Sequence, residues 1–388
     1  MTQPSAHAAI LGIGTAQPEF IMTQDEAVAL AQEVCCRTED DRRLVKVLYR
    51  KTGVKQRALC VPHQLALEWM VMGQAAAVAL AESRAAIGGT DGMLEDAPEP
   101  VSKGMGTGER MRVYADAAPK LAVDCSTKAL ADAKLAAGEI THLVTVSCTG
   151  FFAPGLDLAL INGLGLRPTV GRVFVGFMGC HGAINGLRTA QAIAQADPRN
   201  RVLLCAVELC SLHYSFEWDP DRAVGNAIFA DGAAALVVAH SSAAPSEDTL
   251  QVAATGSCYI PDSGDAMSWN IGDHGFEMFL SSRVPDLIST NVRPWFESWL
   301  AEQGLKIEDI GCWAVHPGGP RVLSAVEEAL GLDRTHTGMS REVLAECGNM
   351  SSPTVLFILQ RLRAAGAKMP CVAIGFGPGL AAEAALFR

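Results

Sequence analysis

Short apolar runs alternate with longer stretches of helical periodicity, and this alternation restricts the chain's possible folds more than any other feature. "HLVTVS" (142–147), "RVFVG" (172–176), "RVLLCAVEL" (201–209) and "AAALVVA" (233–239) are too short for helices and are rich in apolar residues, so they read as buried strands. Between the second and third, residues 180–196 put Ile184, Leu187, Ala190 and Ala194 on one face and meet Pro198, the pattern of a helix. A second series repeats the scheme with "CWAV" (312–315), a helix opening near Pro353 that carries Val355, Leu356, Leu359 and Leu362, then "CVAIG" (371–375) and "AAEAALF" (381–387). The expected class is α/β. Both series end with glycine running into an alanine-rich strand, "ADGAAALVVA" and "GPGLAAEAALF", which hints at internal duplication. "HSSAAPSEDT" (240–249) reads as the connection between them.

With 388 residues the chain is long enough for two packed domains or one large α/β body, and 49% hydrophobic against 19% charged residues excludes a disordered protein. A formal charge of -11 argues against nonspecific nucleic-acid binding, which needs a broad basic surface. One stretch opposes that balance: "DRRLVKVLYRKTGVKQR" gathers Arg42, Arg43, Lys46, Arg50, Lys51, Lys55 and Arg57, either a solvated helix face or a phosphate-binding patch. The twelve cysteines are scattered through apolar segments without a CxxC pair, so most should fill core volume, with neither disulfides nor zinc expected. The first Lys or Arg is Arg37, no secretory leader is visible and no apolar run is long enough to span a bilayer, so a cytoplasmic protein is expected. Residues 88–110, rich in Gly, Pro and charge, read as an exposed loop or insertion.

"GFMGCHGAING" (176–186) sets Cys180 among glycines where a strand stops and a helix begins. A helix N-terminus favours the thiolate, so a lowered pKa is expected; the alternative is a buried cysteine in a tight turn. Of nine histidines, His7 and His240 fall in loops, His63 and His336 in polar surroundings, His142 opens a strand, and His181 should point away from its neighbour Cys180. His316 differs. "CWAVHPGGP" puts it at the end of a buried strand, where sites of α/β sheets gather. In "CGNMSSPT" (347–354), Asn349 serves either as a helix cap or as an amide donor to an oxyanion. The GxG copies in "GIGTAQP" and "GFGPGL" are not completed to GxGxxG, so a dinucleotide-binding enzyme is rejected.

Together "GFMGCHGAINGLRTA", "GNAIFADGAAALVV", "VHPGGP", "CGNMSSPTVLFIL" and "GFGPGL" resemble, in order and spacing, the type III polyketide synthases, the chalcone synthase-like branch of the thiolase superfamily, from about Ile10 to Phe387. The resemblance implies a thiolase fold, five-layered αβαβα with two related halves (1–240 with the nucleophile, 241–388 with the catalytic His and Asn), in a homodimer. It implies Cys180, His316 and Asn349 as catalytic residues, with His316 as an imidazolium holding Cys180 as thiolate, and Phe229 as a gatekeeper. It also implies iterative condensation of malonyl-CoA onto a starter acyl-CoA, with CoA thioesters as substrates and no metal or redox cofactor. Lys51 matches a family cation for CoA phosphate. The other matching positions hold Leu44 and Val47, leaving Arg43, Lys46, Arg50, Lys55 and Arg321 as substitutes by proximity.

Departures from the plant pattern bear on the substrate. Met278 replaces a second gatekeeper phenylalanine, Cys148, Cys210 and His213 stand where threonines occur, Ala153 replaces a methionine that reaches across the dimer, and Gly225 leaves space. An altered cavity follows, with an aliphatic starter and a pyrone or resorcinol product as the expectation. The rival readings are a β-ketoacyl-ACP synthase III-like enzyme making one condensation and a noncatalytic thiolase-fold acyl-binding protein.

Overall fold

The computed structural model describes residues 8–65, 68, 104–244 and 249–388. Its strands are β1 (Ala8–Ala16), β2 (Phe20–Thr23), β3 (Gln56–Leu59), β4 (His142–Ser147), β5 (Gly171–Gly176), β6 (Arg201–Leu209), β7 (Asp231–His240), β8 (Gln251–Tyr259), β9 (Met267–Gly272), β10 (Gly275–Leu280), β11 (Cys312–Val315), β12 (Cys371–Gly377) and β13 (Ala381–Phe387). Nine of them form one sheet in the order β11-β12-β13-β8-β1-β7-β6-β4-β5, joined at its middle by a short β1–β8 pairing. In the N-terminal arm β4 runs parallel to β6, and β7 is antiparallel to both β6 and β1. The C-terminal arm repeats this: β11 is parallel to β12, and β13 is antiparallel to both β12 and β8. The duplication hinted at by the two glycine-to-alanine strands is therefore topological.

Strands buried on both faces need helices on both faces, which explains why β6 reads as one unbroken apolar run. Leu203, Cys205, Val207 and Leu209 join an outer core with Val34 of α1 (Gln24–Val34), Val45 and Tyr49 of α2 (Glu39–Lys51), Tyr114 and Leu121 of α3 (Thr107–Ala133) and Leu160 of α4 (Leu156–Leu164). Val202, Leu204 and Ala206 face the opposite way, onto Ile184 and Leu187 of α5 (Gly182–Ala196). The short α6 (Pro220–Ile228) follows β6. A third core covers the far face of the C-terminal arm with Phe296 and Trp299 of α7 (Val284–Glu302) and Leu323 and Val326 of α8 (Pro320–Leu330). Beyond α9 (Gly338–Cys347), the buried α10 (Thr354–Ala364) shares the middle core with α5. The layers thus run α, β, α, β, α. Each large side chain moved from water into these cores contributes roughly 1.5–3 kcal/mol.

Gly12 and Gly14 of "GIGTAQP" have a packing role: a Cβ there would lie 2.2 Å from Ala129 O and 2.1 Å from Cys125 O of α3. Three readings from sequence need correction. Residues 172–176 form a strand, but β5 is an edge with Val173 and Phe174 40% and 52% exposed, because among the described residues only β4 pairs with it. Residues 107–110 are the first turn of α3, where the Glu109 carboxylate accepts the Gly106 N–H at 3.1 Å and Arg110 is buried. The remainder of that expected loop (88–103) and His7 lie outside the described residues. Arg57 is no part of an exposed patch; it is 1% exposed and donates to the carbonyls of Asn226, Ala227 and Phe229 at the end of α6.

Candidate active site

The two buried helices of the middle layer point their N-termini at one another. A Cβ on Gly182, at the start of α5, would lie 3.6 Å from Ser352 Cβ just ahead of α10. Cys180 sits in the single tight turn Gly179–His181 that feeds α5. The turn is conformationally unusual, with Phe177 at φ 57° and Gly179 at φ 73°. Glycine is required at 179 for a second reason: a Cβ would meet Pro378 Cδ at 2.3 Å, so the "GFGPGL" loop packs on the turn that carries the thiol.

The sequence expectation for ionisation is overturned. Cys180 is 7% exposed, and burial pushes its thiol up to about 11, against the opposing hydrogen bonds from Ser351 and Asn349. His316, 1% exposed, is pushed down to about 3, first by burial and then by the neighbouring His181. Desolvation opposes the helix N-terminus and favours the neutral forms of the thiol and of the imidazole. The Ser351 hydroxyl donates to Cys180 Sγ at 3.6 Å. Asn349 is not the cap of α10. Its Oδ1 accepts the Ser351 N–H at 2.8 Å, which commits the oxygen and leaves the NH2 group as the donor end beside Cys180. His316 continues from β11, its N–H donating to Ile374 O at 2.8 Å, and among the described residues neither ring nitrogen has a partner. A buried group left without a hydrogen bond is costly and marks a site awaiting one. His181 is also buried, its Nδ1 2.6 Å from Asn185 Oδ1.

A cavity of about 340 Å³ opens beside Cys180. The six gatekeeper and cavity residues expected from sequence line it: Phe229, Met278, Cys148, Cys210, His213 and Gly225. His63, expected in polar surroundings, also contributes to the wall. Asn349 and His316 lie in the buried structure outside the lining. Phe229 ends α6, and its backbone pairs with Asn349: Ala230 N–H donates to Asn349 O at 2.9 Å, and Asn349 N–H to Ile228 O at 2.8 Å. The two supposed CoA contacts are not in the wall. Lys51 is exposed in the last turn of α2, and Arg321 borders a separate groove with Asp286 and Glu328. Leu44 and Val47 are exposed apolar residues of α2, 41% and 47% accessible. No cluster of three or more His, Cys, Asp or Glu that could hold a metal occurs among the described residues, nor does any helix long and apolar enough to cross a membrane.

Sequence reasoning missed Glu208. Fully buried in β6, its carboxylate accepts from Cys148 N at 3.0 Å, Thr149 N at 3.0 Å, Thr149 Oγ1 at 2.6 Å, Ser352 Oγ at 2.7 Å and the Cys148 thiol at 3.3 Å. Burial raises its pKa while those donors pull it back. The signal was present as a lone acid inside "VLLCAVELC", where an unpartnered charge would be prohibitive.

Comparison with known proteins places this geometry. Residues 84–242 match the family model described as "Chalcone and stilbene synthases, N-terminal domain", and residues 250–388 the corresponding C-terminal domain. The chain is 37% identical over 285 residues to "Alpha-pyrone synthesis polyketide synthase-like Pks18" of Mycobacterium tuberculosis, covering 72% of each chain. It is 32% identical to "1,3,6,8-tetrahydroxynaphthalene synthase" of Streptomyces peucetius subsp. caesius, covering 98% of this chain and 92% of that one. The crystal structure of PKS-I from the brown alga Ectocarpus siliculosus superposes with a TM-score of 0.87 at 30% identity, over 100% of both chains.

Proposed function

The chain belongs to the chalcone and stilbene synthase family, the type III polyketide synthases, and from that membership we propose that Cys180, His316 and Asn349 carry its chemistry. The enzyme is a malonyl-CoA-dependent acyltransferase that extends a starter acyl-CoA by repeated decarboxylative condensation. This favours iteration on CoA over a single condensation on a carrier protein, and over a noncatalytic acyl binder.

In the proposed cycle, neutral Cys180 attacks the starter thioester while its proton passes to His316, which returns it to the departing CoA sulfur. Malonyl-CoA then loses CO2, and the enolate oxygen takes hydrogen bonds from His316 and the Asn349 amide, one such donor being worth ~3 kcal/mol. The enolate carbon attacks the acyl-cysteine carbonyl and breaks its C–S bond, releasing Cys180 as thiolate and a β-ketoacyl-CoA longer by two carbons, whose thioester the thiolate attacks to begin the next round. Phe229 and Met278 would exclude water and orient the malonyl group. The observations that support this reading are a buried imidazole whose two nitrogens have no partner among the described residues, and a cavity-lining Cys180 thiol hydrogen-bonded to the Asn349 amide.

The starter is aliphatic in this reading, because Met22, Leu30, Leu59, Val61 and Phe216 are among the apolar residues lining the cavity. The product is a pyrone or resorcinol; a named α-pyrone synthase-like protein among the relatives supports the former. Lys51 holds CoA phosphate, no cofactor beyond CoA thioesters is used, and the setting is the cytoplasm. Residues 1–240 and 241–388 are the two thiolase-like halves. A homodimer forms through the exposed edge β5 and the apolar Phe151, Phe177 and Met178 beside it. Mass spectrometry tests the core of this. Octanoyl-CoA should add one acyl group to the wild type and none to Cys180→Ala, and malonyl-CoA should then yield products only with the former. Acylation of Cys180→Ala at the wild-type rate, or turnover of aromatic starters alone, would overturn the nucleophile or the starter class respectively.

A further inference from the structure

Acidic residues make up 42 of the chain's 388, yet none occurs between Asp41 and Glu68, a stretch that holds Arg42, Arg43, Lys46, Arg50, Lys51, Lys55 and Arg57. Arg57 is committed to buried carbonyls, but five of the others lie on α2, whose own acids are confined to its first turn. There the Asp41 carboxylate caps the helix, accepting the Thr38 N–H at 2.9 Å, while Glu39 and Asp40 pair with Arg42 and Arg43 at 3.7 and 3.4 Å. Beyond that turn the exposed side chains of Lys46 and Arg50 have no hydrogen-bond or ion-pair partner among the described residues.

α2 buries Val45 and Tyr49 and turns two ridges toward solvent, set side by side by the helical repeat. One is cationic, with Arg43, Lys46 and Arg50 at i, i+3 and i+7; the other places Leu44 and Val47 ahead of Lys51 at the same spacing. An apolar ridge beside a cationic one suits a helix lying in the plane of a lipid surface. The aliphatic groups enter the acyl boundary, and the long cationic side chains reach back to the phosphates. Free CoA phosphate would engage the cations and leave Leu44 and Val47 in water, and a protein partner calls for a wider apolar centre than one helix ridge supplies.

The helix also stands close to the cavity. The Gln24 amide donates to Tyr49 O in α2 at 2.8 Å and to Ala227 O in α6 at 3.2 Å, and α6 supplies Arg222, Gly225 and Asn226 to the cavity wall. We propose that the exposed face of α2 is a docking surface for the anionic phospholipid face of a membrane, where the enzyme meets long-chain acyl-CoA. The docking stands on α2 alone; only the delivery of substrate rests on the polyketide synthase reading.

Cosedimentation of the full chain with vesicles tests it. Wild type should sediment with equal parts of phosphatidylglycerol and phosphatidylcholine and stay in the supernatant with phosphatidylcholine alone. Lys46→Gln combined with Arg50→Gln should weaken binding by about 25-fold, about fivefold for each cation near an anionic surface. Leu44→Ser combined with Val47→Ser should weaken it by about tenfold at unchanged charge. Neither Leu44 nor Val47 lines the cavity, so the serine pair should turn over octanoyl-CoA and malonyl-CoA in buffer within about twofold of wild type. Its turnover of palmitoyl-CoA adsorbed on the anionic vesicles should fall with the binding, whereas a merely structural loss would lower both turnovers and the melting temperature together. No binding by wild type, equal binding to the two vesicle types, or undiminished binding of either variant pair overturns the docking; so does a wild type that ignores vesicles and is captured by an acidic acyl carrier protein. If wild type sediments but takes up no acyl group from octanoyl-CoA, the polyketide synthase reading fails and the docking surface stands.

Discussion

The two arms of the sheet share strand order and direction, yet they end differently at equivalent places. The first residue after β4 is Cys148 and the first after the equivalent β11 is His316. Cys148 is saturated: its N–H and thiol both donate to Glu208, and its carbonyl accepts Trp269. His316 is equally buried but has two ring nitrogens with no partner among the described residues. Duplication of one topology has thus given a closed corner, beside the wall of the cavity, and an open one, whose imidazole nitrogens have no partner among the described residues. A low dielectric makes both consequential, since it strengthens a completed network and penalises an incomplete one.

The largest expected effect tests the open corner. Asn349→Ala should lower malonyl-CoA decarboxylation and product formation by about 10²–10³-fold, the usual cost of one oxyanion donor. His316→Gln should retain part of the activity that His316→Ala loses, because the amide still offers a donor. Release of CO2 from labelled malonyl-CoA measures both, with melting temperature as the control for folding. A loss below tenfold in Asn349→Ala would break the contrast between the corners.

The closed corner should answer in stability instead. Glu208→Gln turns an amide N–H toward groups that are themselves donors, and a buried polar group deprived of its acceptor costs about 1–3 kcal/mol. Urea unfolding should show that loss, whereas decarboxylation per folded molecule should change far less than in Asn349→Ala. If Glu208→Gln lost activity like Asn349→Ala while keeping full stability, the two corners would have to be regarded as one catalytic unit.

Much of this was legible in the chain because burial on both faces writes strands as unbroken apolar runs: residues 201–209, 312–315 and 381–387 coincide with β6, β11 and β13. Cys180, Asn349 and His316 stood out as candidates by their settings, a thiol among glycines, an amide ahead of a helix and an imidazole at a strand end, but each kept a structural alternative there, and only the family resemblance joined them. Ionisation was not legible. The helix N-terminus is a local feature visible in sequence, but desolvation of Cys180 depends on remote segments closing over it. β5 was misjudged because an apolar edge reads like an apolar centre, and Arg57 because its acceptors, the carbonyls of α6, are nearly 170 residues away. The hydrogen bonds that hold the β9–β10 hairpin were invisible for the same reason: His213, Thr149 and Phe276 come together only across distant parts of the chain.

The smallest effect divides the arms by acid response. His316 has an unfolded value of 6.5 and a folded value of about 3, so the neutral form is favoured in the native state. Its contribution is complete above the unfolded value and is lost as pH falls toward the folded one, because only the unfolded chain takes up the proton in that window. From pH 6 to 5 this histidine alone should remove about 1 kcal/mol. His213, also held at about 3, adds a similar loss from the N-terminal arm. Glu208 and Asp231 in that same arm have raised values and work in the opposite sense: the folded state binds their protons first, which stabilises it as pH falls. These two groups oppose the loss from His213, while His181, also lowered by burial, adds to it, so the His316 share is read from the difference between wild type and a variant at that position. Urea unfolding at pH 6 and pH 5 should show His316→Gln losing about 1 kcal/mol less than wild type between the two. An identical loss in the variant would mean that solvent reaches His316 in the native state, and the contrast between an open and a closed corner would then lack its electrostatic basis.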